Sequence, residues 1–324
     1  MDRRTFVASL VGSSLVPLFA SAASGASANR KGFMISTGDI ATIRADITRI
    51  ADLGGTIVRF PLYFSFEPSL QVWFDRLEAA YAVSYQRGVI LVIDIHHPSG
   101  LHSPTNQNIY DVDDFVNKWS AIAQRFANRG RIWYDLCNEP PSRTPQNIAW
   151  RDVALRAARA IRNYDSRNKI VFAAPGTTTS PASNFLPLAG ISNQILQFHF
   201  YDWVNVQCPS PYQEPVQNPP VLKPQCTPDQ IARYPSPNRT EENLRRKLQQ
   251  VANAGRESGV PVYIGEVAIP YFHPNAPRFL RDFTSICDQL GIHLTLHAYR
   301  EADIWNYENN SRAWQILTSW LQRS

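Results

Sequence analysis

Eight short apolar runs, separated in many places by segments of helical spacing, constrain the fold of this 324-residue chain more than any other feature. They fall near 33–35, 56–60, 89–95, 132–138, 170–174, 195–201, 262–266 and 292–299. They read as continuous rather than alternating runs, as strands do when both faces of a parallel sheet are covered. Between them, Phe115, Trp119, Ile122 and Phe126 recur at spacings of 4, 3 and 4, which places them on one face of a helix. Val153, Ala157 and Ile161 do the same. Asn238, with Glu241 three residues on, reads as a helix start, and Leu244, Leu248 and Val251 as the buried face that follows. Strand and helix patterns in this order predict an α/β chain, a (β/α)8 TIM barrel in a single domain. A hydrophobic content of 44% is enough for a core of that size.

The polar residues at the ends of these runs carry the functional argument. The first is Arg59, in Thr56-Ile57-Val58-Arg59-Phe60, and the third run ends in His96 and His97. The fourth leads into Asn138-Glu139-Pro140, the sixth ends in His199-Phe200-Tyr201, and the seventh in Gly265-Glu266. A carboxylate at the end of a buried strand is costly to desolvate, so it belongs at the mouth of a site. In α/β barrels that mouth lies at the C-terminal strand ends. Two such glutamates suggest the carboxyl pair of a glycoside hydrolase, one to protonate the leaving oxygen and one to attack or to activate water. The alternative, two surface glutamates that merely open loops, leaves the other polar strand ends unexplained.

At these residues the chain resembles glycoside hydrolase family 5, the cellulase-type (β/α)8 barrels. Arg59, His96, the Asn138-Glu139-Pro140 triplet, the His199 and Tyr201 pair and Glu266 stand in the family's order, and the resemblance covers roughly residues 30–320. It implies Glu139 as acid/base and Glu266 as nucleophile, with retention at the anomeric carbon. It further implies that Arg59 and Tyr201 hydrogen-bond to Glu266, that His199 supports Glu139, that Asn138 meets the sugar 2-hydroxyl and that His96 lines the same subsite. His97 is a second candidate beside His96. Neither a metal nor a cofactor is implied. The departure comes at the eighth run, Leu294-Thr295-Leu296-His297-Ala298-Tyr299, where many members carry a tryptophan beneath the sugar. Here His297 takes the equivalent place, and Trp305 follows eight residues later as a second candidate platform.

The N-terminus reads as a targeting segment. Arg3-Arg4 precedes a modestly apolar run from Val7 to Ala20, and Ala-Ser-Ala occurs at 20–22 and 26–28. This pattern predicts a signal peptide over 1–28, of twin-arginine type or else an ordinary secretory signal, and a catalytic domain over 29–324. The expectation is bacterial export, to the periplasm or the medium. No later stretch is long and apolar enough to span a bilayer, so no membrane partner is expected after signal removal. An oxidising compartment allows Cys208 and Cys226 to bridge the ends of a proline-rich stretch, with about 3 kcal/mol of stabilisation on the chain-entropy model. Cys137 and Cys287 read as small buried hydrophobes, and no cysteine spacing suggests zinc.

Residues 204–239 hold nine prolines in 36 positions and would overhang the cleft after the sixth strand. Nearby Trp203, Tyr212 and Tyr234 are candidates for sugar stacking or for packing a stiff lid. The formal charge of +5 is dispersed, and Arg245-Arg246-Lys247 reads as a solvated helix face. Nucleic acid is therefore not an expected partner. The expected substrate is a β-linked glucan or a related polysaccharide or oligosaccharide, and the expected state is a monomer. The alternatives on the same scaffold are a β-mannanase, a transglycosylase or a catalytically inactive carbohydrate-binding barrel. A phosphosugar aldolase or isomerase would require a strand-end lysine and a glycine-rich phosphate loop, and neither is present in the pattern.

Overall fold

A computed structural model describes residues 29–64, 67–97, 111–176, 185–204 and 232–323. The expected signal segment, Tyr212, Cys208 and Cys226 lie outside the described residues, as does the side chain of His97. Eight parallel strands close into one barrel in sequence order. They are β1 (Lys31–Ile35), β2 (Ile57–Tyr63), β3 (Ile90–His97), β4 (Ile132–Asp135), β5 (Lys169–Ala173), β6 (Gln194–Phe200), β7 (Val262–Val267) and β8 (His293–Tyr299). The described helices are α1 (Ile40–Asp52), α2 (Leu70–Gln86), α3 (Val112–Phe126), α4 (Trp150–Arg162), α5 (Glu241–Ser258), α6 (Ala276–Leu290) and α7 (Ser311–Gln322). Each strand except β5 is followed by one of them. The chain is a (β/α)8 barrel, as the eight apolar runs predict.

The helices begin where side chains satisfy the first backbone donors. Asp39 caps α1 through the Thr42 N–H, and Asp111 caps α3 through those of Asp113 and Asp114. The start of α5 differs from the sequence expectation. Thr240, not Asn238, is the cap, its hydroxyl accepting from the Asn243 N–H at 3.2 Å. Asn238 belongs to the preceding turn, which is closed by mutual hydrogen bonds between Ser236 and Arg239. At the other end of α5, Gly259 takes φ +67, the left-handed conformation that glycine adopts without a Cβ penalty.

Helix and strand are joined by apolar burial and by two indole donors. Phe115, Trp119, Ile122 and Phe126 are fully buried beneath α3. The Trp119 indole donates to the Leu136 carbonyl at 3.0 Å, and that of Trp150 donates to the Ala173 carbonyl at 2.9 Å. These bonds anchor α3 and α4 to the C-terminal ends of β4 and β5, where a site in this fold is built. β4 is shorter than the 132–138 run suggests. After Asp135 the backbone still donates, from Leu136 to Val171 and from Asn138 to Ile95, but it turns away from regular pairing before Glu139 at φ +40. Among the described residues, no helix is long and apolar enough to cross a membrane.

Candidate active site

The interior of the barrel is layered by the two-residue period of its strands. The lowest layer is apolar: Ile57, Ile90, Val92, Trp133, Val171, Ile195 and Tyr263 pack as one buried cluster. Two residues further along, the same faces present Arg59, Asp94, Asp135, Gln197 and Gly265. The next step gives His96 on β3 and His199 on β6. β7 breaks the count at this level. Phe198 pairs with Ile264 but His199 pairs with Glu266, so Gly265 is an extra residue at a bulge. A bulge re-aims the following side chain, and here it brings Glu266 into the barrel mouth. A Cβ there would lie 1.9 Å from the Gln197 amide nitrogen, so any larger residue would have to displace that buried side chain.

Arg59 is the hub of the middle layer. It is fully buried, and its Nε donates to Asp135 Oδ2 at 2.9 Å. Its Nη2 lies 3.0 Å from Asp94 Oδ2 and donates to Asn138 Oδ1 at 3.1 Å. Its Nη1 donates to Glu266 Oε1 through a short contact. Burial alone would push the guanidinium down, but Asp94, Asp135 and Glu266 outweigh it and hold the proton firmly. The same burial raises Asp94 and Asp135 to about 7 in spite of Arg59. Asp94 Oδ2 also meets His96 Nδ1 at 2.8 Å. Burial pushes that imidazole down to about 4, so His96 is neutral at ordinary pH.

Glu139 and Glu266 converge above this hub. One carboxylate oxygen of each, together with a ring nitrogen of His199, lies within 4.8 Å of the others. His199 Nδ1 is 2.9 Å from Glu139 Oε1 and 3.9 Å from Glu266 Oε2, while its Nε2 meets Gln197 Nε2 at 3.1 Å. Tyr201 donates to Glu266 Oε2 at 3.0 Å. Burial would raise the Glu266 carboxyl, but His199, His297, Arg59 and His96 together bring it well below the usual carboxylate range. Its side chain is 4% exposed, whereas that of Glu139 is 19% exposed. The trio has the donor atoms of a cation site, yet Arg59 and Tyr201 already occupy the two oxygens of Glu266. Glu139 also holds an unusual backbone, φ +40 immediately before Pro140; such strain recurs at functional sites.

At the end of β8, His297 faces this pair. Its Nδ1 lies 2.8 Å from the Tyr201 hydroxyl and 3.5 Å from Glu266 Oε2, and its Nε2 lies 2.6 Å from Glu301 Oε2. Trp305 stacks behind the ring, with centroids 5.7 Å apart and planes at 30°. It is packed with Ala268 and Ile304 and is 7% exposed. His297 thus occupies the position at the carboxylates, and Trp305 is its support rather than the platform in its place. Trp203 also departs from expectation as a sugar-stacking candidate. It is buried, stacked on Tyr234 at 5.6 Å and set edge-on against Phe200, so its faces are taken up by packing. Tyr234 is buried too and donates to Asp282 at 2.7 Å.

The structure therefore groups Arg59, His96, Asn138, Glu139, His199, Tyr201, Glu266 and His297 in one mouth. Sequence reasoning missed Asp94, Asp135, Gln197, Glu301 and Tyr63. For three of these the signal was phase: Asp94 and Gln197 stand two residues before His96 and His199, and Asp135 two after Trp133. Cys137 and Cys287 are buried free thiols, as expected.

Comparison with known proteins gives the family. The family model for cellulase, glycosyl hydrolase family 5, matches residues 21–309. Endoglucanase E-5 of Thermobifida fusca is 23% identical over 163 residues, 46% of this chain and 33% of that protein. Endoglucanase EG-II of Hypocrea jecorina is 27% identical over 107 residues, 31% of this chain and 23% of that one. The chain thus matches a third or less of the length of these relatives. Among solved structures, the cellulose synthase subunit Z of Clostridioides difficile superposes with a TM-score of 0.69 at 16% identity, covering 91% of this chain and all of that one. Cel5A of Thermotoga maritima with mannotriose gives 0.67 at 16% identity, covering 90% and 97%. At such identities the superpositions speak for the fold. With the family model spanning most of its length, the chain belongs to glycosyl hydrolase family 5.

Proposed function

We propose that this glycoside hydrolase cleaves a β-linked glucan with retention, Glu266 acting as nucleophile and Glu139 as acid/base. The observation that carries the reading is the approach of the two carboxylates, oxygen to oxygen within 4.8 Å. Retaining enzymes hold their carboxyl groups about 5–5.5 Å apart, whereas inverting ones leave room for a water at about 6.5–9.5 Å. The division of roles follows from surroundings. Glu266 is encased by cations and donors that keep it ionised, which suits attack on the anomeric carbon. Glu139 is the more exposed and touches His199, which suits a group that must give up a proton and recover it.

In the first step Glu266 attacks the anomeric carbon while Glu139 protonates the departing oxygen. In the second, Glu139 takes a proton from water, which displaces Glu266 from the sugar. Arg59 and Tyr201 hold the carboxylate of Glu266 in place for both. Asn138, fixed by Arg59 at its Oδ1, is placed to meet the sugar 2-hydroxyl. Because the endoglucanase relatives are named for glucan, β-1,4-glucan is the first substrate to assay. The Thermotoga maritima fold neighbour is described with mannotriose and with cellobiose, so β-mannan belongs in the same screen.

The test is azide rescue. Glu139→Ala should form the glycosyl-enzyme from an aryl glycoside whose phenolate departs unaided, then stall. Azide needs no general base, so it should restore turnover and give a β-glycosyl azide; Glu266→Ala should give at most the α-anomer. Exchanged products would reverse the roles, and near-full activity of either variant on polysaccharide would remove the pair. Export and the Cys208–Cys226 bridge belong to the same reading. Thiol titration of the denatured, unreduced protein should find two thiols, those of Cys137 and Cys287. Four would show that the bridge is absent.

A further inference from the structure

His297, Glu301 and Tyr63 form a chain of contacts that the double-displacement scheme leaves unused. Tyr63 donates to Glu301 Oε1 at 2.6 Å, and Glu301 Oε2 faces His297 Nε2 at 2.6 Å. A carboxylate only accepts, so the Nε2 of His297 carries a hydrogen. The other nitrogen, Nδ1, lies 2.8 Å from the Tyr201 oxygen. Tyr201 has one hydroxyl hydrogen and two acceptors within reach, Glu266 Oε2 at 3.0 Å and His297 Nδ1. If Nδ1 carries a hydrogen, it donates to the Tyr201 oxygen, and the phenol donates to Glu266. If Nδ1 is bare, the phenol has a competing acceptor and turns from Glu266.

We propose that Glu301 and His297 are a positioning pair that fixes the direction of the Tyr201 hydroxyl, and through it the hydrogen bonding of Glu266. The inference rests on the reading of Glu266 as nucleophile. The groups that face His297 set its proton. Burial would lower the imidazole, but Glu301 and Glu266 outweigh both burial and the repulsion from Arg59 and raise it to about 9. Burial would raise Glu301, yet His297, Tyr63 and His96 hold it below its ordinary value, so it is a carboxylate at neutral pH. Tyr201 is pushed well above the usual phenol value by burial, Glu266 and Glu139, and keeps its hydrogen throughout. Above about 9 the proton leaves Nδ1 for solvent while Nε2–H stays on Glu301, and the Tyr201 bond reverses. Trp305, stacked on the ring, keeps the imidazole in the plane that permits both contacts.

The test is the pH profile of kcat/KM on dinitrophenyl β-cellobioside, whose phenolate departs without a proton, so no acid catalysis by Glu139 is needed. For the wild type we expect a fall above about 9. Glu301→Gln should move that break down by about one pH unit or more, because it removes the largest attraction on the imidazolium. His297→Phe keeps the stacked ring and should abolish the break. Tyr201→Phe should abolish it as well, since no hydroxyl remains to be directed, a result that a purely structural histidine would not give. A break unchanged in Glu301→Gln or in Tyr201→Phe overturns the proposal. The imidazole nitrogens of His297 in the free wild-type protein, followed by NMR, decide the matter without turnover or variants. Both nitrogens should be protonated at neutral pH, and a neutral ring there overturns the proposal. A charged His297 in a protein that turns over no aryl β-glycoside would uphold the pair and count against the reading of Glu266 instead.

Discussion

The two ends of the barrel interior are built on the same strands and have opposite chemistry. At the N-terminal end, Ile57, Ile90, Val92, Trp133, Val171, Ile195 and Tyr263 close a dry layer. Its one buried phenol bonds to Thr295, whose hydroxyl in turn donates to the Gly265 carbonyl at 2.6 Å. Two residues further along β2, β3 and β4, Arg59, Asp94 and Asp135 are just as buried and are ionisable. The lower end gains stability from burial that needs no partner. The upper end is stable only as a closed set, because a buried charge costs several kcal/mol unless matched. A site that must hold Glu266 ionised in a dry mouth is thus supported by a hub that would be a liability elsewhere in the core.

Substitutions at the two ends should therefore fail differently. The largest effect is expected at the mouth. Glu266→Ala should abolish turnover on every substrate while the protein still folds, since Asp94 and Asp135 remain to pair with Arg59. A steady-state assay beside a thermal melt reads both. Concurrent loss of fold would mean that Glu266 is part of the frame rather than of the chemistry. Next comes Arg59→Met, which strands Asp94, Asp135 and Glu266; it should cost about 3–5 kcal/mol in denaturant unfolding. Ile57→Val, two residues lower on the same strand, should cost about 0.5–1.5 kcal/mol. Equal costs would erase the distinction between the two ends.

A pH-dependent effect sharpens the comparison further. Asp94 is raised from 3.8 to about 7 by burial, so the folded state holds its proton longer than the unfolded chain does. Its contribution to stability is present below the unfolded value and is lost as pH rises through the folded one. Asp94→Asn should remove that slope, which amounts to about 1 kcal/mol per pH unit across the window. Urea unfolding of both proteins from pH 4 to pH 7 measures it. A constant difference between wild type and variant over that range would show Asp94 to be ionised throughout.

The same contrast explains how much could be read from the sequence. All eight strands announce themselves, because continuous apolar runs need no partner to be recognised. The polar residues near the run ends were also legible, from Arg59 to Glu266, although Arg59 stands inside β2, which continues to Tyr63, rather than at its end. The buried carboxylates were not, because Asp94 and Asp135 stand inside runs that read as apolar, and only their two-residue phase with His96 and Trp133 marks them as inward. The bulge at Gly265 was hidden as well, since the local sequence does not reveal that Glu266 has slipped one position against His199. Trp203 misled for the opposite reason. Its place beside the cleft suggested sugar stacking, but Tyr234, from the proline-rich stretch itself, covers its face. Glu301 lies in a loop with no periodicity, and only the fold brings it to His297.

The central claim is that Glu266, held ionised in that mouth, forms a covalent bond to the sugar. A deoxyfluoro cellobioside with a dinitrophenyl leaving group slows both steps but lets the first outrun the second, so the glycosyl-enzyme accumulates. Intact-mass and peptide mass spectrometry of the inactivated protein should find one fluorosugar per chain, on the peptide that contains Glu266, and none on Glu266→Ala. A label on Glu139, or a protein that releases dinitrophenolate from the ordinary glycoside yet never acquires the label, would contradict it.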